Sequence, residues 1–219
     1  MILEEILLEL QATQTQLVAV SKTQPTAAIL DLYQKGQRDF GENKAQELAA
    51  KHEILPKDIR WHMIGHLQTN KVKYIAPFVH LIHSVDSAAV LLEINKQAAK
   101  HNRVINCLLQ FKIAQEDTKY GFDLESAKDL LESTDFQNLK NIQVIGVMGM
   151  ATFTEDMEQV RQEFKMLRAI FSTLKNKYFE HQPAFKEISM GMSGDYQVAI
   201  QEGSTLVRIG TLLFGKRIY

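Results

Sequence analysis

A lysine stands at the end of a short apolar run near the start of the chain. Residues 17–20 are Leu-Val-Ala-Val, Ser21 and Lys22 follow, and Pro25 then favours the start of a helix. A run of this length predicts a buried strand, and α/β folds place their chemistry at the carboxyl ends of such strands. An amine in that position could condense with an aldehyde to a Schiff base. Taken alone, a strand-end lysine whose amine reaches water is the simpler interpretation.

Small residues follow two later segments that also read as strands. Ser193 and Gly194 come after segment 188–192, and Gly210 and Thr211 come after segment 206–209. Small residues allow backbone N–H groups to approach an anion closely, and loops after the last two strands of a strand–helix barrel commonly bind phosphate. An amine at the start and a phosphate site at the end fit an aldehyde that carries a phosphate. Pyridoxal 5′-phosphate (PLP) is such a molecule.

Six segments of the chain resemble the pyridoxal phosphate homeostasis protein family. They are segments 19–23, 40–43, 61–71, 82–86, 189–193 and 207–211, in the order in which the family has them. The resemblance implies an α/β fold, the (β/α)₈ or TIM barrel of the N-terminal domain of alanine racemase. It also implies one PLP-binding domain over residues 1–219 and a role in intracellular PLP, or vitamin B6, homeostasis.

The resemblance also implies which residues hold the cofactor. Lys22 is expected to carry PLP as a Schiff base. Ser193 and Gly194 are expected to bind the phosphate through a hydroxyl group and backbone amides, and Gly210 with Thr211 would supply the second half of that site. Ser193 could also cap the helix that follows it, and this interpretation is compatible with anion binding.

Arg208 and Asn43 complete the expected site. Segment 207–210 resembles a stretch of alanine racemases in which the arginine faces the pyridine nitrogen. An arginine keeps its proton, so it would leave that nitrogen unprotonated and the ring a weak electron acceptor. The alternative for Arg208 is a structural ion pair inside the barrel. Asn43 contacts the cofactor, orients Lys22 or caps a helix, and Lys119 and Tyr120 are expected near the mouth of the site.

Composition excludes several other classes of protein. The chain has 219 residues, of which 45% are hydrophobic, a formal net charge of −1 and a single cysteine, Cys107. This charge gives no general attraction to nucleic acid or anionic membranes, and no apolar run approaches the roughly 20 residues of a membrane-spanning helix. One cysteine excludes an internal disulfide and a cysteine-based zinc site. The N-terminal segment lacks the basic start of a secretory signal, so we expect a cytoplasmic protein.

Four histidines were candidates for a metal site: His62, His66, His80 and His83. His62 and His66 lie on either side of a predicted strand end rather than on one helical face, and no carboxylate stands beside them at the usual ligand spacing. We therefore predict no metal.

Strands and helices are predicted to alternate along the whole chain. Strands are predicted near residues 17–22, 38–41, 61–65, 81–85, 105–113, 144–149, 187–192 and 206–210. Helices are predicted near 26–35, 43–54, 69–76, 87–101, 123–133, 157–176 and 195–202. Such alternation indicates a parallel sheet, and a closed barrel accommodates eight strands. An open doubly wound sheet is the alternative, although no Gly-x-Gly-x-x-Gly motif follows the first strand.

The predicted function is PLP binding without robust turnover. Alanine racemases supply an acid–base tyrosine from a C-terminal β-domain, and this sequence ends at Tyr219, directly after the last predicted strand. We therefore expect no second acid–base group, and a monomer whose partners are PLP and PLP-dependent apo-enzymes. The alternatives are a PLP-dependent amino-acid racemase or related one-domain enzyme, and a barrel that binds a different sugar or nucleotide phosphate.

Overall fold

The computed structural model describes residues 2–116 and 120–215, and its centre is a closed barrel of parallel strands. The strands follow one another around the barrel in chain order, and the last pairs with the first through Leu17 and Val207. They are β1 Gln16–Val20, β2 Asp39–Glu42, β3 Arg60–Met63, β4 Leu81–Val85, β5 Ile105–Phe111, β6 Ile142–Gly149, β7 Glu187–Ser189 and β8 Leu206–Ile209. Closure of the sheet excludes the open doubly wound alternative.

Helices surround this barrel and alternate with its strands. They are α1 Ile2–Ala12, α2 Thr26–Gln34, α3 Ala45–Ile54, α4 Thr69–Val72, α5 Ala88–Lys100, α6 Leu124–Glu132, α7 Thr134–Gln137, α8 Met157–Tyr178, α9 Tyr196–Gln201 and α10 Thr211–Phe214. Each predicted helix has a counterpart among them. The helix predicted near 69–76 ends early, because turns such as Tyr74 N to Lys71 O, at 3.1 Å, replace regular helical bonds.

Several predicted strands are also shorter than expected. The strand predicted near 187–192 ends at Ser189, because Gly191 turns the chain with a φ of +94°. A Cβ at Gly191 would lie 2.6 Å from the Cβ of Ala199, so only glycine fits between this turn and α9. The strand predicted near 105–113 ends at Phe111. The early end of β7 starts the loop that carries Ser193.

Successive side chains of a strand point to opposite sides of the sheet, so the strands contribute to two apolar layers, one outside and one inside the barrel. One side of the strands faces the helices, and there Phe40 packs against Trp61 with ring centroids 6.1 Å apart. The other side fills the barrel with Val18, Leu81, Leu108, Met148 and Leu206, all buried. The barrel is thus a filled core rather than an open channel.

The long helix α8 illustrates how the outer layer forms. Val160, Phe164, Leu167 and Leu174 recur at helical spacing and are buried against the barrel. Phe171 continues the same spacing, but it is only partly buried and stacks on Phe185 with ring centroids 5.1 Å apart. The helix begins at an N-cap, because the Asp156 carboxylate accepts from the backbone N–H groups of the first turn.

Candidate functional site

A cavity of about 300 Å³ opens at the carboxyl ends of the strands. Its wall contains the seven residues predicted to hold the cofactor, namely Lys22, Asn43, Ser193, Gly194, Arg208, Gly210 and Thr211, whereas Tyr120, expected near the mouth, does not line it. These residues follow or end four different strands, β1, β2, β7 and β8, so closure of the barrel brings them together. The apolar side chains of Val20, Ile64, Met150 and Met157 line the same space.

The Lys22 turn is anchored on both sides of the lysine. Ser21 donates through its hydroxyl to the Glu42 carboxylate at 2.6 Å, and its carbonyl accepts from Lys51 Nζ at 2.7 Å. Thr23 has a left-handed backbone, with φ of +64°, and its N–H donates to Glu47 at 2.6 Å. Non-glycine residues rarely adopt this conformation, so the turn is held by its surroundings.

Lys51 joins these anchors into one buried ion cluster. Its Nζ lies 2.7 Å from Glu42 and 2.8 Å from Glu47, and the Glu42 side chain is completely buried. Burial raises the pKa of Glu42, against the opposing effect of the hydrogen bonds from Lys51 and Ser21. Sequence analysis missed Lys51, because its contact with Ser21 crosses 30 residues of sequence. The only local signal was the spacing of Glu47 and Lys51, one helical turn apart on α3.

The loops after β7 and β8 meet each other at the opposite wall. The backbone N–H of Gly210 donates to the Ser193 hydroxyl oxygen at 3.3 Å. A Cβ on Gly210 would lie 3.1 Å from the carbonyl oxygen of Val20, so glycine allows β8 and β1 to approach closely here. A Cβ on Gly194 would meet nothing within 4 Å, and its side is open. The hydroxyl of Ser193 thus lies where both loops converge.

The interpretation of Ser193 as a helix cap is wrong. The N-cap position of α9 is Asp195, and no side chain there caps the helix. The carboxylate of Asp195 instead accepts from the backbone N–H of Met192 at 2.5 Å and tightens the loop. Because Ser193 lies two residues before the cap position, its hydroxyl is directed to Gly210 rather than to the helix.

Arg208 is buried at the floor of the cavity, with 3% of its surface exposed. Its guanidinium donates through Nη1 to Ser189 Oγ at 2.6 Å and through Nη2 to the Gly149 carbonyl at 3.0 Å. Both acceptors are neutral, which differs from the structural ion pair that was the alternative. Burial lowers the pKa of Arg208 to about 10, although Asp195 favours the charged form. The guanidinium therefore carries a positive charge at neutral pH.

Asn43 lies in the cavity wall directly after β2. The N-cap position of α3 is the next residue, Lys44, so the interpretation of Asn43 as a cap is wrong. A Cβ on Gly65 would overlap the backbone of Asn43, so Gly65 allows the β3 loop to pack against it. Asn43 therefore lines the same cavity as Lys22.

The histidines lie in two groups. His66 is exposed, and its Nδ1 lies 2.7 Å from Asp86 Oδ2. Its ring stacks on Tyr120 at a ring centroid distance of 4.0 Å. Lys119, which was expected beside Tyr120, lies outside the described residues. His62 and His80 lie at the other end of the barrel, and their ring nitrogens and an Asp39 oxygen fall within 4.8 Å of one another.

A carboxylate therefore lies near His62, which the sequence spacing did not predict. Asp39 is supplied by the neighbouring strand β2, and it lies 3.0 Å from His62 Nε2. The Asp39 carboxylate already accepts from Arg60 Nε at 2.7 Å, so it is paired with a cation of the chain itself. We continue to assign no metal to this group.

Comparisons with known proteins place this architecture in a family. The model of the alanine racemase N-terminal domain matches residues 5–217. The pyridoxal phosphate homeostasis protein of Aquifex aeolicus is 44% identical over 205 residues, which cover 93% of this chain and 88% of the relative. The chain belongs to the pyridoxal phosphate homeostasis protein family. The predicted family and the predicted barrel are both confirmed.

Solved structures of PipY from Synechococcus elongatus have the same fold. PipY of Synechococcus elongatus with PLP bound is 34% identical, with a TM-score of 0.84, over 96% of this chain and 99% of PipY. The same protein without PLP superposes with a TM-score of 0.87 at 36% identity, over the same shares of both chains. Among the helices of the described residues, none is long and apolar enough to cross a membrane.

Proposed function

We propose that this protein binds PLP in the cavity at the carboxyl ends of the strands, as a Schiff base on Lys22, and takes part in intracellular PLP homeostasis. The observation that carries the proposal is that one cavity is lined by Lys22, by Arg208 and by the two loops of Ser193 and Gly210. The names of the curated relatives and the PLP-bound structure of PipY support it.

The residues present fit each end of the cofactor. The phosphate would bind between Ser193 and Gly194 on one side and Gly210 and Thr211 on the other. The two glycines lack side chains that could obstruct an anion, and the space beside Gly194 is open. The Ser193 hydroxyl can donate to an oxyanion while it accepts from Gly210 N–H. Asn43 would contact the cofactor from the loop after β2.

Arg208 would meet the pyridine nitrogen at the floor of the cavity. When bound, PLP supplies an aldehyde for Schiff-base chemistry and a ring that can accept electrons. Arg208 donates hydrogen bonds only, so a ring nitrogen that faces it stays unprotonated and the ring accepts electrons poorly. We therefore propose a binding protein without robust turnover, in agreement with the curated names of its relatives.

An absorbance spectrum of the protein after addition of PLP tests this function. A Schiff base gives a yellow species that Lys22→Ala should lose, whereas Lys44→Ala, on the neighbouring surface, should retain it. A protein that bound sugar or nucleotide phosphates but formed no yellow species would contradict the proposal. Pyridoxal without phosphate should bind more weakly, since the two loops would have no anion to hold.

The racemase is the second candidate, because alanine racemases share this barrel. Incubation with L-alanine in deuterated water distinguishes the two functions. We expect a change of spectrum without accumulation of D-alanine. Formation of the D-isomer at roughly 1 s⁻¹ or faster, an ordinary enzyme rate, would overturn the binding function.

We further propose that residues 1–219 act as one PLP-binding domain and that the protein is a cytoplasmic monomer which exchanges PLP with PLP-dependent apo-enzymes. The opening of the cavity supports exchange, because Phe153, 97% exposed, lies at its rim. Sedimentation of the PLP-loaded protein tests the monomer. Transfer by contact is tested with an apo-enzyme placed either in the same compartment as the protein or behind a membrane that only free PLP can pass. The activation of the apo-enzyme is then compared between the two arrangements.

A further inference from the structure

A chain of hydrogen bonds runs through the inside of the barrel from Arg208 to Asp39. Ser189 Oγ accepts from Arg208 at 2.6 Å and lies 2.8 Å from His83 Nδ1. His83 Nε2 lies 2.8 Å from His62 Nδ1, and His62 Nε2 lies 3.0 Å from Asp39 Oδ1. All five residues are buried, and none has more than 4% of its surface exposed. The chain thus crosses four strands, β8, β7, β4 and β3, before it reaches β2.

The two ends of this chain open on different cavities. Arg208 lines the cavity of the proposed PLP site. Asp39 and Arg60 line a second cavity of about 380 Å³ beside the amino-terminal ends of β1, β2 and β3. The Arg60 side chain is 45% exposed and pairs with Asp39. The chain therefore connects the floor of the proposed site to a solvent-facing ion pair at the opposite end of the barrel.

The donors and acceptors fix one direction along the chain. Arg208 can only donate, and the Asp39 carboxylate can only accept, because Arg60 and His62 hold the pKa of Asp39 well below its usual range against the opposing effect of burial. Between them, the Ser189 hydroxyl gives its hydrogen to His83 Nδ1. His83 Nε2–H then donates to His62 Nδ1, and His62 Nε2–H donates to Asp39.

In this direction every polar atom of the chain is satisfied with both rings neutral. The opposite direction would turn an unprotonated His62 Nε2 toward the Asp39 carboxylate, or require a charged imidazole in the core. Burial lowers the pKa of His83 well below its usual value, and the charge of Arg208 acts in the same sense. The His80 ring lies 5.5 Å from the His62 ring, and partial burial lowers the pKa of His80 to about 4.

We propose that Asp39, His62, His83 and Ser189 form a positioning relay, in which the Asp39–Arg60 pair fixes both histidine tautomers and so the orientation of the Arg208 guanidinium toward the ring of PLP. The inference rests on the proposed function of Arg208. A change at Asp39 would then alter the proposed PLP site although Asp39 does not line it. Ser189, which accepts from Arg208, is the link between the histidines and the guanidinium.

The tautomers can be tested in the protein without PLP. Nitrogen-15 NMR of the histidine rings should show Nε2–H for both His62 and His83 in the wild type. In Asp39→Asn, the carboxylate that favours Nε2–H on His62 is gone, and Arg60, which contacts both carboxylate oxygens, competes with His62 for the one amide oxygen. Nδ1–H should then appear on both histidines, whereas the control His80→Gln should leave His83 unchanged. Nδ1–H on wild-type His83, or an unchanged His83 in folded Asp39→Asn, would overturn the relay.

A conservative variant keeps this test decisive if Asp39→Asn does not fold. In His62→Gln, the amide can donate to Asp39 and accept from His83, so His83 should keep its Nε2–H. Protonation of His83 on Nδ1 in that variant would contradict the proposed direction of the chain.

PLP binding gives the second readout. Ser189→Ala should raise the dissociation constant about fivefold, which corresponds to a hydrogen bond of roughly 1 kcal/mol. The matched control is Ser84→Ala, because Ser84 is also buried and its hydroxyl has no partner among the described residues. Asp39→Asn should weaken binding in the wild-type background and have no further effect in Ser189→Ala. Equal factors in both backgrounds would indicate independent structural effects and overturn the relay.

The two proposals fail in distinguishable ways. A wild-type protein that binds no PLP would overturn the proposed function and, with it, this role of the relay. A wild type that binds PLP, with Ser189→Ala equal to Ser84→Ala, would overturn the relay alone.

Discussion

Replacement of Lys51 by methionine should show how much the buried ion cluster contributes to the Lys22 turn. Lys51→Met keeps most of the side-chain volume and removes the amine that contacts Glu42, Glu47 and the Ser21 carbonyl. The Lys51 side chain is 8% exposed and that of Glu42 is fully buried, so the variant leaves a buried carboxylate without its cation. Removal of one partner of such a pair costs about 3–5 kcal/mol.

The loss should depend on pH in a definite direction. Burial already raises the pKa of Glu42, and without Lys51 that pKa rises further. A carboxyl group with a raised pKa in the folded state is tolerated while protonated and destabilises the fold as pH rises through that pKa. Lys51→Met should therefore be less destabilised relative to wild type at about pH 5.5 than at about pH 8.

Urea unfolding of both proteins at the two pH values measures this difference. The matched control is Lys44→Met, one residue before α3, because Lys44 is exposed and should change the free energy of unfolding by less than about 0.5 kcal/mol. Formation of the Schiff base should also slow in Lys51→Met, because the carbonyl before Lys22 has lost its anchor. A destabilisation below about 1 kcal/mol at the higher pH, or one that did not change with pH, would refute this reasoning.

Three further predictions concern the phosphate loops, the acid stability and the core. Gly210→Asp should weaken PLP binding more than Ser193→Ala, because it adds bulk against Val20 and a like charge at the anion, and titration of each variant with PLP measures the two losses. Arg60 and His62 lower the pKa of Asp39 against the effect of burial. The Asp39 carboxylate should therefore stabilise the fold above about pH 4, and this contribution should be lost as pH falls further. Asp39→Asn should flatten the acid limb of a profile of unfolding free energy against pH. Phe164→Ala should destabilise the fold by about 3–5 kcal/mol in chemical unfolding, and the partly buried Phe171→Ala by clearly less.

The fold and the wall of the cavity could be predicted because their signals are local. The apolar run of residues 17–20 marked β1, and apolar residues at helical spacing marked α8. Lys22, Ser193 and Gly210 stood out since each follows such a run. Once the strands close into a barrel, residues after their carboxyl ends must lie together, so the cavity follows from the order of elements.

Contacts between elements could not be predicted in the same way. Ser189 and Gly149 accept from Arg208 only because β6, β7 and β8 are adjacent, and neither residue carries a local signal of that role. Asp39 on β2 meets His62 on the neighbouring strand β3. The spacing of residues along the sequence therefore does not reveal this carboxylate. The predicted strand boundaries were wrong where the chain turns, as at Gly191 after β7. The predicted cap at Ser193 was wrong because the N-cap position of α9 is Asp195.

The central claim, that Lys22 carries PLP, is tested most directly by reduction with borohydride followed by peptide mapping. Reduction makes the link between the lysine and the cofactor permanent, so the labelled peptide identifies the residue. We predict that the label lies on the peptide that contains Lys22 and is absent from Lys22→Ala, which retains only weaker binding through the phosphate. A label found mainly on another lysine, or an undiminished label in Lys22→Ala, would contradict the account.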